Sequence, residues 1–416
     1  MPKFLIEARD ANLRRIGIIE QYTRLDVIAR HCDVGSWLLE LPGDYTGALL
    51  QPGCGVIIWV AGLDEPIMSG PVTEIQRKWD ADAPGAGVLV INGVSDELLL
   101  WGRVTYPQPD RSIYLQDLDA ARGRAPVGQV ITDLVNLNAG PGARANRRVP
   151  GLVVTPSTAG RDITWYSRFD YVGAKAKELA QATGLGWQVR QGQSGQVVFS
   201  VYTPRDLSSL VVFSRDAGNL AAYSYSLKAP TATRFLAAAQ GEGKLRYLRA
   251  YRSDDAGVME DPSEVSGVYD APLDRWTNYW PERFIDRRDI PLAYDAMRRV
   301  INAETGEQAH EGDFVALNDA VAEDAPEHAP VAVLSLSPVD LPSLQFGRHY
   351  RLGDTVSVQV DGETITDVLR EVRLSDGDDG PKVTPIVGSS FASETPLIYR
   401  QIRRMWDSLR KLEARR

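Results

Sequence analysis

YRLGDTVSVQVDGETITDVLREVRLSDGDDGPKVTPIVGS, the sequence of residues 350–389, predicts three short β-strands. After a turn at Leu352-Gly353-Asp354, every second residue from Val356 to Val360 is valine, which is the period of a strand with one buried face. Asp361-Gly362 favours a two-residue type I′ hairpin, because both central positions of that turn need positive φ. A second strand is therefore predicted to follow the hairpin and to pair antiparallel with the first.

The second strand carries its apolar residues in two phases. Ile365 falls in one phase, whereas Val368, Arg370, Val372 and Leu374 fall in the other, which predicts a β-bulge near Asp367. A polar, glycine-rich turn then leads to a third strand over residues 383–387. Pro385 in that strand predicts a sheet edge, because proline has no N–H to donate to a neighbouring strand.

This meander resembles the C-terminal domain of siphovirus minor tail proteins, a family of the tail tip in phages of actinobacteria that is similar to phage baseplate hub proteins. The matching residues are Tyr350, Leu352, Gly353, Asp354, Val356, Val358, Glu371, Val372, Ile386 and Gly388. The start of the chain resembles the start of the same family through Gly17, Tyr22, Asp33, Val34, Gly35, Ser36 and Trp37. The resemblance covers residues 4–250 and 345–390, in family order.

Most of the remaining chain predicts short strands joined by a few helices. Strands are predicted over residues 4–8, 16–19, 25–30, 36–41, 55–60, 70–77, 87–93, 187–190, 197–202, 210–213, 223–227, 233–238 and 245–250. Helices are predicted over residues 98–101 with Ser95 as N-cap, from Pro126 to Gly140, from Ser167 or Asp170 to Gly184, and over residues 291–303. The pattern predicts an α+β, β-rich fold. The resemblance implies several antiparallel sheets or small barrels of the phage tail-hub type, with a few short helices and a C-terminal helix.

The C-terminal helix is predicted to be amphipathic. Its apolar residues step by four and three, the spacing of a coiled-coil seam, while arginines and a lysine fill the other faces. The seam residues are Ile398, Ile402, Met405, Leu409 and Leu412. A segment of fewer than three heptads is marginal alone, so it either docks on its own chain or pairs with copies or a neighbouring protein. The resemblance favours the second alternative, an assembly helix.

Composition excludes several classes of protein. A formal net charge of −9 argues against a dedicated nucleic-acid-binding surface, so DNA is expected to pass without specific binding. Two cysteines imply no disulfide framework. Glu7, Arg9 and Asp10 stand where a signal peptide would be apolar, and the longest apolar run, residues 54–63, is too short to span a bilayer. The chain is therefore expected to be soluble, made in the cytoplasm, and not to insert into membranes by itself.

No catalytic, metal or cofactor site is predicted. The four histidines lack ligand spacing, and the sequence contains no H-E-x-x-H, C-x-x-C or G-x-S-x-G motif. His31 and Cys32 are neighbours, which in a strand would point to opposite faces. The acidic turn that starts at Asp376 resembles a calcium loop faintly, but its twelfth position is Val387 rather than glutamate. We therefore expect a protein that is not an enzyme.

Five segments are predicted along the chain. They are an N-terminal β-rich hub domain (1–110), an α+β hub domain (111–250), a loop-rich region with an acidic stretch (251–345), a C-terminal β-meander (346–392) and a C-terminal helix (393–416). In the third segment the aromatic residues Trp276, Tyr279, Trp280 and Phe284 either cover a core edge or face a partner. The stretch between Arg299 and Arg348 has no lysine or arginine, and is either a solvated linker or an acidic surface that lets DNA slide past.

The resemblance implies a structural role at a phage tail tip. A baseplate hub or minor tail protein of this kind would form a homo-oligomer, a trimer by analogy, and would lie in the virion after assembly in the host cytoplasm. It would close the tail tube and link the tape-measure and distal tail proteins to tail fibres or receptor-binding proteins during host attachment and DNA delivery. Two alternatives remain: a tail-associated carbohydrate-active or cell-wall-degrading protein, and a cellular β-rich binding protein.

Overall fold

The computed structural model describes residues 4–45, 50–51, 53–61, 63–79, 87–254, 257–261, 281–329, 331–339, 341, 343–360, 363–378 and 380–388. The chain divides into two compact units. Unit 1 takes in Met1–Tyr225 and Val333–Ser390, and the described part of unit 2 lies within Ser226–Ala332. The prediction of an α+β, β-rich fold is confirmed. The sheets are open rather than closed barrels in the described part of the chain.

Twenty-four strands and four α-helices make up the described chain. The strands are β1 (Phe4–Arg9), β2 (Arg15–Ile18), β3 (Arg24–Arg30), β4 (Ser36–Pro42), β5 (Gly55–Val60), β6 (Met68–Lys78), β7 (Val88–Val94), β8 (Ala121–Pro126), β9 (Leu152–Val154), β10 (Asp162–Ser167), β11 (Gly186–Gln191), β12 (Val197–Tyr202), β13 (Val212–Ser214), β14 (Leu220–Lys228), β15 (Arg234–Ala238), β16 (Leu248–Asp254), β17 (Gly257–Glu260), β18 (Glu282–Asp286), β19 (Leu292–Tyr294), β20 (Val300–Asn302), β21 (Val331–Pro338), β22 (Thr355–Val360), β23 (Glu363–Asp376) and β24 (Lys382–Gly388). The helices are α1 (Leu98–Trp101), α2 (Val127–Asn138), α3 (Val172–Thr183) and α4 (Val315–His328).

The largest sheet has thirteen strands and joins both ends of the described chain. Its order is β14-β21-β24-β23-β3-β4-β7-β6-β5-β1-β2, and β22 and β13 branch from β23. Trp37, one of the family-like residues, is 2% exposed in the core of this sheet. A Cβ on Gly93 would lie 2.1 Å from the Trp37 ring, so only glycine leaves room for the indole there.

The predicted meander is present as β22, β23 and β24. β22 and β23 pair antiparallel up to Val360 opposite Glu363, so two residues join them. The turn residues Asp361 and Gly362 lie outside the described residues. The bulge is not near Asp367, which pairs in register with Val356, but between Leu369 and Glu371. There β23 changes partner from β22 to β24 and β3, and the extra residue lets the strand bend between the two pairings.

The prediction that Pro385 marks a sheet edge is wrong. β24 lies between β21 and β23. The proline is tolerated because β21 pairs with β24 only at residues 386–388, so the pairing on that side ends just before Pro385. An internal strand can carry a proline at a position where the pairing with one neighbour has already ended, because no N–H is needed there.

The meander is tied to the N-terminal strands by buried side chains. β23 pairs with β3, and the Arg30 Nε donates to the Glu371 carboxylate at 2.9 Å. Tyr22 donates its hydroxyl to Asp376 at 2.7 Å. Burial, with the Asp376 hydrogen bond and charge, raises the pKa of Tyr22. Tyr350 is 1% exposed and packs edge-to-face on Phe213. Residues from the two family-like stretches therefore meet in one core.

A second core in unit 1 lies between α2, α3 and the sheet β11-β12-β9. Val127, Val130, Ile131 and Leu134 form the buried face of α2, whereas Leu137 is 41% exposed. Gly184 ends α3 with φ of 71°, which confirms its predicted role as a left-handed C-terminal residue.

A buried polar network joins β1, the α1 turn and β11. Arg9 and Asp96 form an ion pair at 2.8 Å, and Arg9 also donates to the Gln191 side chain at 2.6 Å. Ser69 donates its hydroxyl to Asp96 at 2.5 Å. The prediction that Ser95 caps α1 is wrong: its hydroxyl accepts the N–H of Gly35 at 2.8 Å, and no side chain caps this one-turn helix.

Unit 2 contains the sheet β17-β16-β15-β18 and α4. Leu317, Val321 and Ala325 of α4 are buried in the same core as Phe235 of β15. The interpretation of the acidic stretch as a linker is therefore wrong over α4, which is a packed helix. The acidic-surface alternative stays a prediction.

The helix predicted over residues 291–303 is also wrong. The segment is a hairpin of β19 and β20. The Asp295 side chain accepts the N–H groups of Met297 and Arg299 at 2.9 and 2.8 Å, and Arg298 has φ of 65°. Local turn chemistry of an aspartate outweighs the apolar spacing here. Likewise β16 starts at Leu248 rather than at residue 245, because a 3₁₀ turn occupies Gly243–Leu245.

Candidate assembly surfaces

His31 and Cys32 are the nearest approach to a catalytic pair in the described residues. The Cys32 Sγ lies 3.6 Å from the His31 Nε2, so the prediction that they point apart is wrong. The two residues follow β3 in a turn, and Cys32 has φ of 52°, which breaks the alternation of a strand.

The protonation states of this pair do not suit nucleophilic catalysis. Burial raises the pKa of the Cys32 thiol to about 12. Burial, and then the charges of Arg370 and Lys177, lower the pKa of His31 to about 4. At neutral pH the pair is therefore a thiol beside a neutral imidazole, whereas a catalytic cysteine needs thiolate character. The His31 Nδ1 is 2.9 Å from the Tyr202 hydroxyl, so a hydrogen bond holds the imidazole in the packed interior.

The other chemical predictions concern metals and membranes. Among the described residues, no group of three or more His, Cys, Asp or Glu side chains could hold a metal ion. No helix in the described part of the chain is both long and apolar enough to cross a membrane. Cys32 and Cys54 are both free thiols.

The predicted assembly helix, with Ile398, Ile402, Met405, Leu409 and Leu412, lies outside the described residues and stays a prediction. Trp276, Tyr279 and Trp280 also lie outside them. Phe284 is described: its ring is 53% exposed and has the Arg246 guanidinium 5.8 Å from its centroid.

One apolar surface lies at the end of the large sheet, on β1 and β2. Leu5, Ile16 and Ile18 are 44%, 42% and 50% exposed. Glu7 lies opposite Ile18, and Leu5 is two residues before Glu7, so Leu5 and Ile18 project from the same face. We call these three residues the β2 edge surface.

The backbone of β2 is also open on its outer side. Within the described residues, β2 pairs only with β1. The N–H of Ile19 donates to the carbonyl of Ile6 at 2.8 Å, which sets the hydrogen-bonding phase. By the alternation of an antiparallel pair, the N–H and C=O groups of Ile18, which lies opposite Glu7, then point away from β1. An apolar strand with open backbone groups is a template for pairing with another chain.

A second apolar surface is the loop before β8. Ile113, Tyr114, Leu115 and Leu118 are 43%, 91%, 64% and 54% exposed. Four large apolar side chains so exposed within six residues make this loop a candidate interaction surface. We call residues 113–118 the Ile113 loop.

Two glutamines hold the Ile113 loop in one conformation. Gln116 accepts the N–H of Gln108 at 2.8 Å and donates to the carbonyls of Gln108 and Ser112 at 3.0 and 3.1 Å. Gln108 in turn accepts the N–H of Asp117 at 2.7 Å. The apolar side chains are therefore presented by a pre-organised loop, which lowers the entropy lost on binding.

A groove of about 440 Å³ adjoins the Ile113 loop. Its apolar lining includes Tyr106, Leu118, Leu134 and Trp165, and Asp133 of α2 lies at its wall. The Arg147 guanidinium stacks on the Tyr106 ring, 3.6 Å from the ring centroid.

Sequence patterns did not identify these two surfaces. The sequence of β2 predicts an ordinary strand, and only the order of strands in the sheet shows that β2 lies at an edge. The Ile113 loop had a visible signal: three consecutive large apolar residues, at positions 113–115, in a segment with neither helical nor strand period.

The fold is β-rich, and the β2 edge surface and the Ile113 loop are candidate surfaces for contact with other chains. The model of the siphovirus ReqiPepy6 Gp37-like protein family matches residues 5–389, and the chain belongs to this family. The resemblance to siphovirus tail-tip hub proteins is thereby confirmed, and the alternative of a cellular binding protein is set aside. A search of curated proteins finds no match.

Two solved structures are similar over nearly the whole chain. One is the 43 kDa tail protein of prophage MuSo2 from Shewanella oneidensis, with 13% identity, a TM-score of 0.51, and coverage of 93% of this chain and 98% of that one. The other is a tail protein from Neisseria meningitidis MC58, with 12% identity, a TM-score of 0.51, and coverage of 93% and 97%. At these identities the likeness concerns the fold. Family and fold together support a structural component of a phage tail.

Proposed function

We propose that the chain is a baseplate hub or minor tail protein at the tail tip. In this role it closes the tail tube and links the tape-measure and distal tail proteins to tail fibres or receptor-binding proteins during host attachment and DNA delivery. The observation that carries the proposal is the family match over residues 5–389, which is most of the chain.

The surfaces of the molecule support a role in assembly. The β2 edge surface offers both apolar side chains and open backbone groups to another chain. Leu5, Ile16 and Ile18 are about half exposed, so a partner strand would bury them. Each buried side chain of this size contributes about 1.5–3 kcal/mol at most. We infer a homo-oligomer, a trimer by analogy, in which residues 393–416 form a further assembly element.

The protein is proposed to act without bond-breaking chemistry. The pair that comes closest to a nucleophile, His31 and Cys32, has a buried thiol with a pKa of about 12. The purified chain should release no reducing ends or muropeptides from cell walls. Release that a single carboxylate substitution abolishes would favour the cell-wall-degrading alternative instead.

The proposal is tested by a phage with a stop codon in this gene. Its particles should lack functional tails or fail to adsorb, and supply of the intact chain in trans should restore plaques. Normal adsorption and DNA delivery without the chain would contradict a hub role. Supply of a chain truncated before residue 394 then tests the C-terminal segment. We expect the truncated chain to fold, to form a smaller oligomer and to fail to restore tails.

A further inference from the structure

We propose that the groove beside the Ile113 loop binds residues 393–416 of a second copy of the chain. This inference rests on the proposed function, in which that segment is an assembly element, and it names the surface that receives the segment. The groove and the segment are different surfaces of one chain, so each copy would hold the next head to tail, an arrangement that can close into a ring.

The receiving surface has the features of a binding hot spot. The Ile113 loop is fixed by the hydrogen bonds of Gln108 and Gln116 before any partner arrives. Tyr114 and Leu115 at its tip are 91% and 64% exposed. Beside them the groove offers the Trp165 and Tyr106 rings. Large apolar side chains on a rigid frame beside a pocket are the arrangement that concentrates binding energy.

Charge identifies the chemistry of the occupant. Asp119, Arg122 and Asp133 are the charged residues of the groove lining. Asp119 pairs with Arg168 at 2.7 Å, whereas Asp133 is exposed and has no hydrogen bond or ion pair within the described residues. An occupant that places a large apolar side chain in the groove and an arginine or lysine beside it would supply the absent counter-charge. An arginine can make a bidentate contact with such a carboxylate.

Residues 393–416 carry this combination. Their apolar residues alternate with arginines, for example Ile402 and Met405 with Arg403 and Arg404. The segment has seven of the 46 basic residues of the chain and three of its 55 acidic residues. Positions 1–392 therefore hold 39 basic and 52 acidic residues. A basic segment is therefore attracted to the acidic remainder of another copy.

The test measures binding of a fluorescein-labelled peptide of residues 393–416 to the full chain by fluorescence anisotropy. Leu115→Asp and Asp133→Arg should each weaken binding by about tenfold or more, as expected for residues at an interface centre. Tyr114→Ala provides a second loop variant without a new charge. The matched control is Leu210→Asp, because Leu210 is 78% exposed on unit 1 away from the groove lining, and it should leave binding unchanged.

A charge reversal makes the test specific. A peptide with Arg403→Glu and Arg404→Glu should bind the Asp133→Arg chain more tightly than it binds the wild-type chain. Equal affinity of the wild-type peptide for all four variants would overturn the groove as the site. If removal of residues 394–416 still lowers the oligomeric size in that case, the assembly role stands and only the groove docking fails. If the groove variants lose peptide binding but keep the wild-type oligomeric size in light scattering, the segment docks within its own chain and the second-copy proposal is overturned.

Discussion

The buried ion pair of Arg9 and Asp96 holds the large sheet against the second core of unit 1, and Asp96→Asn should break it. The two side chains are 3% and 1% exposed. Asparagine keeps the shape of aspartate but removes the charge, so the Arg9 guanidinium would stay buried with only neutral partners, the asparagine side chain and Gln191. Removal of one partner from a buried pair costs about 3–5 kcal/mol, because the remaining charge has lost its compensation.

The assay is urea unfolding followed by tryptophan fluorescence, with the free energy of unfolding taken from the transition of unit 1. The control is Asp26→Asn, since the Arg24–Asp26 pair has a similar distance of 2.7 Å but side chains that are 55% and 31% exposed. An exposed pair contributes at most about 1 kcal/mol. If Asp96→Asn lowers the free energy no more than the control does, the network is not what joins the sheet to β11.

Three further predictions concern the buried surroundings of His31 and Cys32. His31 has a pKa of about 4 in the folded chain, below its ordinary 6.5. As the pH falls, the unfolded chain therefore binds the His31 proton before the folded chain does. Stability should fall by up to about 3 kcal/mol from pH 6.5 to 4, and His31→Gln should remove that part of the pH dependence in urea titrations. In thermal melts, Gly353→Ala should destabilise the protein by about 1–3 kcal/mol more than the control Gly218→Ala. Both glycines have positive φ, but only a Cβ at position 353 would meet the His31 ring, at 2.6 Å. Equal losses of stability would contradict this contact. Iodoacetamide should label Cys54 but not Cys32 in the native chain when followed by mass spectrometry, and equal labelling would contradict the buried, protonated thiol.

The sequence predicted most strands because their signal is local. The alternation over Val356–Val360 needs no knowledge of neighbouring strands, and the order of the family-like stretches predicted the fold class. Errors came where a distant group decides the local structure. Ser95 is not a cap because Gly35, sixty residues away, supplies the N–H that its hydroxyl accepts. Pro385 is internal because β21 ends its pairing one residue away.

The candidate surfaces were less predictable than the fold. The exposure of Ile16 and Ile18 depends on β2 being the last strand of the sheet, which only the strand order reveals. The contact between His31 and Cys32 depends on positive φ at a cysteine, which side-chain type does not predict. The seam from Ile398 to Leu412 is visible in sequence alone, and its role stays a prediction.

Cryo-electron microscopy of purified virions would show where in the tail the chain lies. A tail structural protein that forms the tip should appear as one ring at the distal end of the tail tube, and its sheets should match β1–β7 and β22–β24. Density for the chain repeated along the length of the tube, or its absence from virions that still infect, would contradict the account.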